Sequence, residues 1–214
     1  EHGVGRIVTK LEELGLTNQT AIVFFSDNGG YGPATDMAPL KGYKGAYYEG
    51  GIREPFFVKW PGVVEAGTIN ETHIIGVDLY PTFLEMTGAT AKDGQVQDGL
   101  NLVPLFKGGT FSERSLFWHF PAYLQSYGGK GPFEQRDPLF RSRPVGVVRH
   151  GDWKLMEFFE SGDLELYNLK QDIGESRNLA DAHPETRRKL HGSMKEWRQK
   201  TGAPIPSDRT PPFD

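Results

Sequence analysis

Residues 21–25, Ala-Ile-Val-Phe-Phe, form an unbroken apolar run that stops at Ser26-Asp27-Asn28-Gly29-Gly30. Such a run reads as a short strand buried on both faces. Val4, Ile7, Leu11 and Leu14 recur at helical spacing just before it, and Gly15 stands where a helix C-terminal cap belongs. A helix leading into a doubly buried strand predicts an α/β sheet of parallel type. Residues 29–51 then form a glycine-rich connection, too long for an ordinary loop and therefore a candidate for function.

The 214 residues suffice for one sizeable core, or for a large lobe and a smaller one. Lys and Arg number 24 against 28 Asp and Glu, a net charge of −4, so no basic face for nucleic acid is implied. No apolar run approaches the length of a membrane span. The chain has no cysteine, which excludes disulfides and thiolate metal sites within it and leaves the compartment open. It begins inside a helical pattern, without Met or signal peptide, and so reads as a piece of a longer protein with any targeting signal upstream.

Further along, Ile52–Trp60 reads as a second strand, with Pro55 arguing for an edge or distorted position. Val77–Ala89 reads as a helix with Asp78 as N-cap, Pro81 in the first turn and Gly88 closing it. Residues 89–112 are mostly irregular. From about 115 the texture changes. The runs SLFWHF, PVGVVR, WKLMEF and LELYNL are strand-like and separated by turn residues, as in an antiparallel sheet. The polar stretch 122–143 between the first two reads as a surface loop. Pro184 opens an amphipathic helix with Leu190, Met194 and Trp197 on one face. The proline-rich tail, 202–214, reads as extended. The predicted division is 1–112 and 113–214.

Asp27 and Asn28 follow the strand end, where open α/β sheets bind ligands, and both carry the hard oxygens that Ca²⁺ or Mg²⁺ prefers. Taken alone, Asp-Asn-Gly reads first as a turn. Calcium takes roughly 6–8 oxygens, so this pair fills only part of a shell. Lys41 and Lys44 lie among glycines, where an ammonium and nearby N–H groups can meet a tetrahedral oxyanion. Each read singly is a solvated loop lysine. Glu49, Arg53 and Glu54 read as a charge network bracing the loop. His119, beside Trp118, reads equally as a substrate contact or as a hydrogen-bonded strand histidine. Tyr43, Tyr47 and Tyr48 read as packing, and the remaining histidines show no ligand spacing. Asn18-Gln19-Thr20 and Asn70-Glu71-Thr72 match the N-glycosylation pattern, a string common by chance.

In order, the strings FFSDNGG, LKGYKGAYYEGGIREPFFVKWPG, GVDLYPTFLEMTGA, DGLNLVPLFKG, GDWKLMEF and LELYNLKQDIGESRNLA closely resemble the C-terminal half of the sulfatase family, in the alkaline-phosphatase-like superfamily. The resemblance implies a partial alkaline-phosphatase-like α/β sandwich, then a small antiparallel sheet with a C-terminal helix. It implies that Asp27 and Asn28 ligate a divalent cation, usually calcium, and that Lys44 contacts the sulfate group. It leaves Lys41 without an active-site role, and it gives His119 a contact with a sugar hydroxyl or the leaving oxygen.

In that family a Cys or Ser within C/S-x-P-x-R becomes formylglycine, whose hydrate attacks sulfur and later releases sulfate. No such string occurs here: Ser142-Arg143-Pro144-Val145-Gly146 lacks the final arginine. The nucleophile and the remaining metal ligands therefore belong to an N-terminal half, the implied partner of this segment, which alone would not turn over substrate. The implied substrate is a sulfated small molecule or glycan, and the implied location periplasmic, secreted or lysosomal. Two rivals stand beside this reading: a phosphate or phosphonate monoester hydrolase of the same superfamily, and a non-catalytic chain that binds sulfated glycans.

Overall fold

The computed structural model describes residues 2–126 and 139–206. In chain order the elements are α1 (His2–Glu13), β1 (Ile22–Phe25), α2 (Glu49–Ile52), β2 (Phe56–Lys59), α3 (Leu79–Thr87) and α4 (Val103–Phe106). They continue with β3 (Ser115–Phe120), β4 (Leu124–Gln125), β5 (Phe140–Ser142), β6 (Val145–His150), β7 (Trp153–Phe158), β8 (Leu164–Asn168) and α5 (Pro184–Thr201). Two units result: residues 1–27 with 55–112, and residues 28–54 with 113–214. The glycine-rich segment thus belongs to the second unit, although it follows β1 directly.

In the first unit, β1 and β2 form a two-stranded antiparallel ribbon that pairs Ile22 with Lys59 and Phe25 with Phe56. This corrects the expectation of a parallel sheet. A parallel partner needs a crossover that carries the chain back along the sheet. Between these strands lie instead a loop and the four-residue α2, and the chain returns at the end it left. Nor is β1 buried on both faces: Phe24 is 43% exposed, Phe25 41% and Phe57 65%. A ribbon of two strands offers each only one neighbour, so its aromatic rings stack mainly on one another, Phe24 against Phe57 at 6.0 Å. α1 likewise buries none of its residues.

Asp78 departs from its expected role as N-cap. No side-chain cap bond is made into α3. Its carboxylate instead accepts the Ile75 N–H at 2.9 Å and the Leu100 N–H at 2.8 Å, tying the irregular 89–102 stretch to the helix start. Gly88 ends α3 in the left-handed conformation, as its position predicts.

In the second unit, β3, β6, β7 and β8 form an antiparallel sheet in that spatial order. Alternation assigns its two faces. The register aligns Trp118, Val147, Met156 and Glu165 in one row, and Leu116, Arg149, Lys154 and Tyr167 in the next row on the same face. On this face Ala46 and Tyr48 of the glycine-rich segment complete a core with Val145, Val147, Met156 and Phe158. The opposite face, with Val148, Leu155 and Leu166, packs against Leu190 and Met194 of α5. Trp197 stacks on Phe117 with ring centroids 5.0 Å apart. Glu157 on that face pairs with Arg198, and with His191 at 3.0 Å. Within the expected 122–143 surface loop, β4 and β5 pair antiparallel. Residues 127–138 of that loop, and 207–214 of the tail expected to be extended, lie outside the described residues.

Candidate active site

The connection from Asn28 to Arg53 is built by close backbone contact. Gly29 donates its N–H to the Gly51 carbonyl at 3.1 Å, Lys44 to that of Gly30 at 3.0 Å, and Gly50 to that of Lys41 at 2.8 Å. Only glycine permits this approach. A Cβ on Gly29 would stand 2.0 Å from the Gly50 oxygen, and one on Gly51 2.0 Å from the Ala46 oxygen. The paired glycines of Asn-Gly-Gly and Glu-Gly-Gly are therefore the two sides of one seam. That seam brings the Lys44 turn against the Asn28 turn.

The structure separates the two lysines. Lys41 turns inward: its ammonium sits 4.1 Å from the Tyr48 ring centroid and 5.8 Å from that of Tyr167, and donates to the Glu175 carbonyl at 3.4 Å. Lys44 presents an exposed side chain, while its carbonyl accepts from Arg141 at 3.3 Å. Of the pair, Lys44 is the more exposed. Tyr48 is buried, with its hydroxyl donating to Glu165 at 2.8 Å, in line with the packing role expected of it.

Asp27 is exposed and ends the first unit's opening segment; Asn28 is half-buried and begins the second unit's. Both offer hard oxygen donors. Among the described residues no group of three or more His, Asp or Glu side chains is arranged to hold a metal ion. The pair fits a cation as a partial ligand set only.

His119 lies elsewhere. It projects from the face of the sheet that α5 covers, opposite the face that Ala46 and Tyr48 occupy. Its ring is 5.3 Å from Phe159 and 6.3 Å from Trp197. Its Nε2 contacts the Pro204 carbonyl at 2.7 Å. A carbonyl can only accept, so that nitrogen carries the proton. The structure brings Lys44 and the Asn28 turn together and leaves His119 apart from them.

Beneath the seam lies a charge cluster that sequence reading assembled only in part. Lys154 and Glu175 are fully buried and Glu49 is 1% exposed. The Lys154 ammonium donates to Glu49 at 3.1 Å and stands 2.9 Å from Glu175 Oε1. Arg149 and Arg53 approach the other Glu49 oxygen at 3.3 and 3.5 Å. Burial alone would raise the Glu49 carboxyl, but the charges of Lys154 and Arg149 outweigh it and bring it below its ordinary value. For Glu175 burial prevails over Lys154, and its carboxyl is raised. Of the brace expected from Glu49, Arg53 and Glu54, the Glu49–Arg53 contact is present, and its buried cation is Lys154.

The sulfatase family profile matches residues 1–89. A sulfatase of Formosa agariphila is 33% identical over 225 residues, covering 94% of this chain and 38% of that protein. The chain belongs to the sulfatase family. Its solved neighbours agree in fold. A crystal structure of Ps i-CgsB in complex with k-i-k-neocarrahexaose superposes with a TM-score of 0.72 at 28% identity, over 92% of this chain and 40% of that one. The phosphonate monoester hydrolase of Agrobacterium radiobacter follows with a TM-score of 0.64 at 25% identity, over 94% and 38%. These place the sulfatase chain in the alkaline-phosphatase-like α/β fold, of which it holds a part. It spans about two fifths of the length of these relatives.

Proposed function

We propose that the longer protein carrying this segment hydrolyses sulfate esters, and that Lys44 sets a fixed positive charge against the ester's oxygens. The observation that carries this reading is the hydrogen bond from the Lys44 main chain to Gly30 at 3.0 Å, which holds the lysine turn against the Asn28-Gly29-Gly30 turn. A sulfate ester is anionic, and its bridging oxygen gains charge as the bond to the alcohol breaks. An ammonium already in place stabilises that charge without reorganisation. A point charge suffices, so lysine serves without the fork of a guanidinium.

Asp27 and Asn28 would hold a divalent cation, calcium or another, with the other ligands coming from the rest of the protein. Such an ion supplies further charge to the sulfate oxygens when bound. The formylglycine nucleophile would come from the N-terminal portion, which is this segment's principal partner. A periplasmic, secreted or lysosomal location accompanies this reading. Among the described residues no helix is long and apolar enough to cross a membrane. The relative solved with an oligosaccharide supports a carbohydrate sulfate as substrate.

A second reading, phosphonate or phosphate monoester hydrolysis, is supported by the Agrobacterium neighbour. A phosphate monoester dianion demands more positive charge than a sulfate ester. The full-length protein should turn over an aryl sulfate well above an aryl phosphate or phosphonate, and the reverse ranking would select the rival. In the same protein Lys44→Ala should lower aryl sulfate turnover by about 10²–10³-fold, the usual cost of removing one transition-state donor. Ordinary turnover would overturn the role given to Lys44.

A further inference from the structure

We infer that Lys154, held between Glu49 and Glu175, is a positioning residue that fixes where the Lys44 turn sits on the sheet; this rests on the role proposed for Lys44. A buried ion pair is a poor device for stability alone, because desolvation consumes most of the attraction, and apolar side chains of similar volume serve as well or better. Here two buried carboxylates and one fully buried ammonium are retained beneath the one loop that carries the candidate anion contact.

The connections run from the cluster to that loop. Glu175 Oε2 accepts the Glu49 main-chain N–H at 2.6 Å, fixing the start of α2. Glu49 then receives Lys154 from the neighbouring strand, 105 residues away in sequence. One residue on, the Gly50 N–H holds the Lys41 carbonyl at 2.8 Å, and the Lys41 ammonium returns to the Glu175 carbonyl at 3.4 Å. Lys41 and Glu49 thus anchor the two ends of the turn whose exposed member is Lys44. Glu175 itself holds φ +51, a left-handed conformation uncommon for any residue other than glycine, so the surrounding bonds over-determine it. The cluster also links three stretches that look unrelated in sequence: Tyr-Glu-Gly-Gly, Gly-Asp-Trp-Lys and Asp-Ile-Gly-Glu.

The test uses the full-length protein and the double variant Lys154→Met/Glu175→Gln, which removes the pair together and leaves Glu49 to Arg149 and Arg53. Aryl sulfate turnover, inhibition by inorganic sulfate and Tm are measured side by side. The expected result is a Tm close to that of the parent, kcat/KM lowered about ten- to a hundredfold by misplacement on the ångström scale, and weaker sulfate inhibition. A folded double variant with parental kcat/KM and sulfate inhibition would overturn the inference. If the double variant does not fold, Glu49→Gln decides by the same readouts: reduced turnover with weaker sulfate inhibition supports the positioning role, and parental values overturn it. Lys44→Ala in the same assay separates the two claims. If it is inactive while the cluster variants are unaffected, only the positioning role falls; if it is fully active, the role of Lys44 falls first.

Discussion

Replacing Gly50 by alanine would put a methyl carbon 2.2 Å from the Gly42 carbonyl oxygen and 2.7 Å from that of Lys41. Ordinary carbon–oxygen contacts lie beyond 3 Å, so the two sides of the seam must part by about an ångström. Both obstructing atoms belong to the backbone, and no side chain can rotate away to absorb the shift. Overpacking of this kind costs about 1–3 kcal/mol in a core. The larger effect is on position, because the displaced backbone, Lys41 to Gly42, leads directly into Lys44. An ångström of displacement at a reacting group costs on the order of 10²-fold in rate. In the full-length protein, Gly50→Ala should therefore lower aryl sulfate kcat/KM by about 10²-fold with a more modest fall in Tm. Parental turnover from a folded Gly50→Ala protein would refute the seam as the element that sets the Lys44 turn.

Gly192 provides the converse case: it lies inside α5 with open space where a Cβ would go, so Gly192→Ala should raise stability by about 1 kcal/mol, read by urea unfolding. Glu49 and Glu157 sit below their ordinary values when folded, the latter because hydrogen bonds from Arg198 and His191 overcome its burial. The unfolded chain therefore binds more protons as acid is added, and their stabilisation, complete above the unfolded glutamate range, is lost as pH falls through the folded values. Glu175 has the opposite sign, since its raised carboxyl favours the folded state on the acid side and that contribution is lost as pH rises through its folded value. Unfolding free energy measured against pH should thus show an acid limb that Glu157→Gln flattens, and an unchanged limb would contradict the assignment. Lys41→Met should lower Tm and turnover together, whereas Lys44→Ala should lower turnover at nearly parental Tm, because the first ammonium is packed on Tyr48 and the second is exposed.

The C-terminal sheet was legible in the sequence because its strands alternate: Phe117 and Trp118, or Leu155 and Met156, go to opposite faces that are each covered by their own layer. The helix α5 was legible from Leu190, Met194 and Trp197 at helical spacing. The direction of β1 was not, since Ile-Val-Phe-Phe specifies a strand but not which edge it pairs or from which side the chain returns. Asp78 has the composition of an N-cap, yet its oxygens serve Ile75 and Leu100, and the second of these partners is set by tertiary structure. Lys154 left no local signal at all. Within Trp-Lys-Leu-Met-Glu-Phe it passes for an ordinary polar strand residue, and its partners, Glu49 and Glu175, come from distant parts of the chain. The two lysines of the glycine-rich segment look equivalent as strings and part company only once Tyr48 and Glu175 claim the first.

The most direct measurement of the central claim is a crystal structure of the full-length protein soaked with calcium and inorganic sulfate. It should show a sulfate oxygen within about 3 Å of the Lys44 ammonium, with the ion on the oxygens of Asp27 and Asn28. A sulfate seated with Lys44 turned away, or a cation held without either Asx residue, would contradict it.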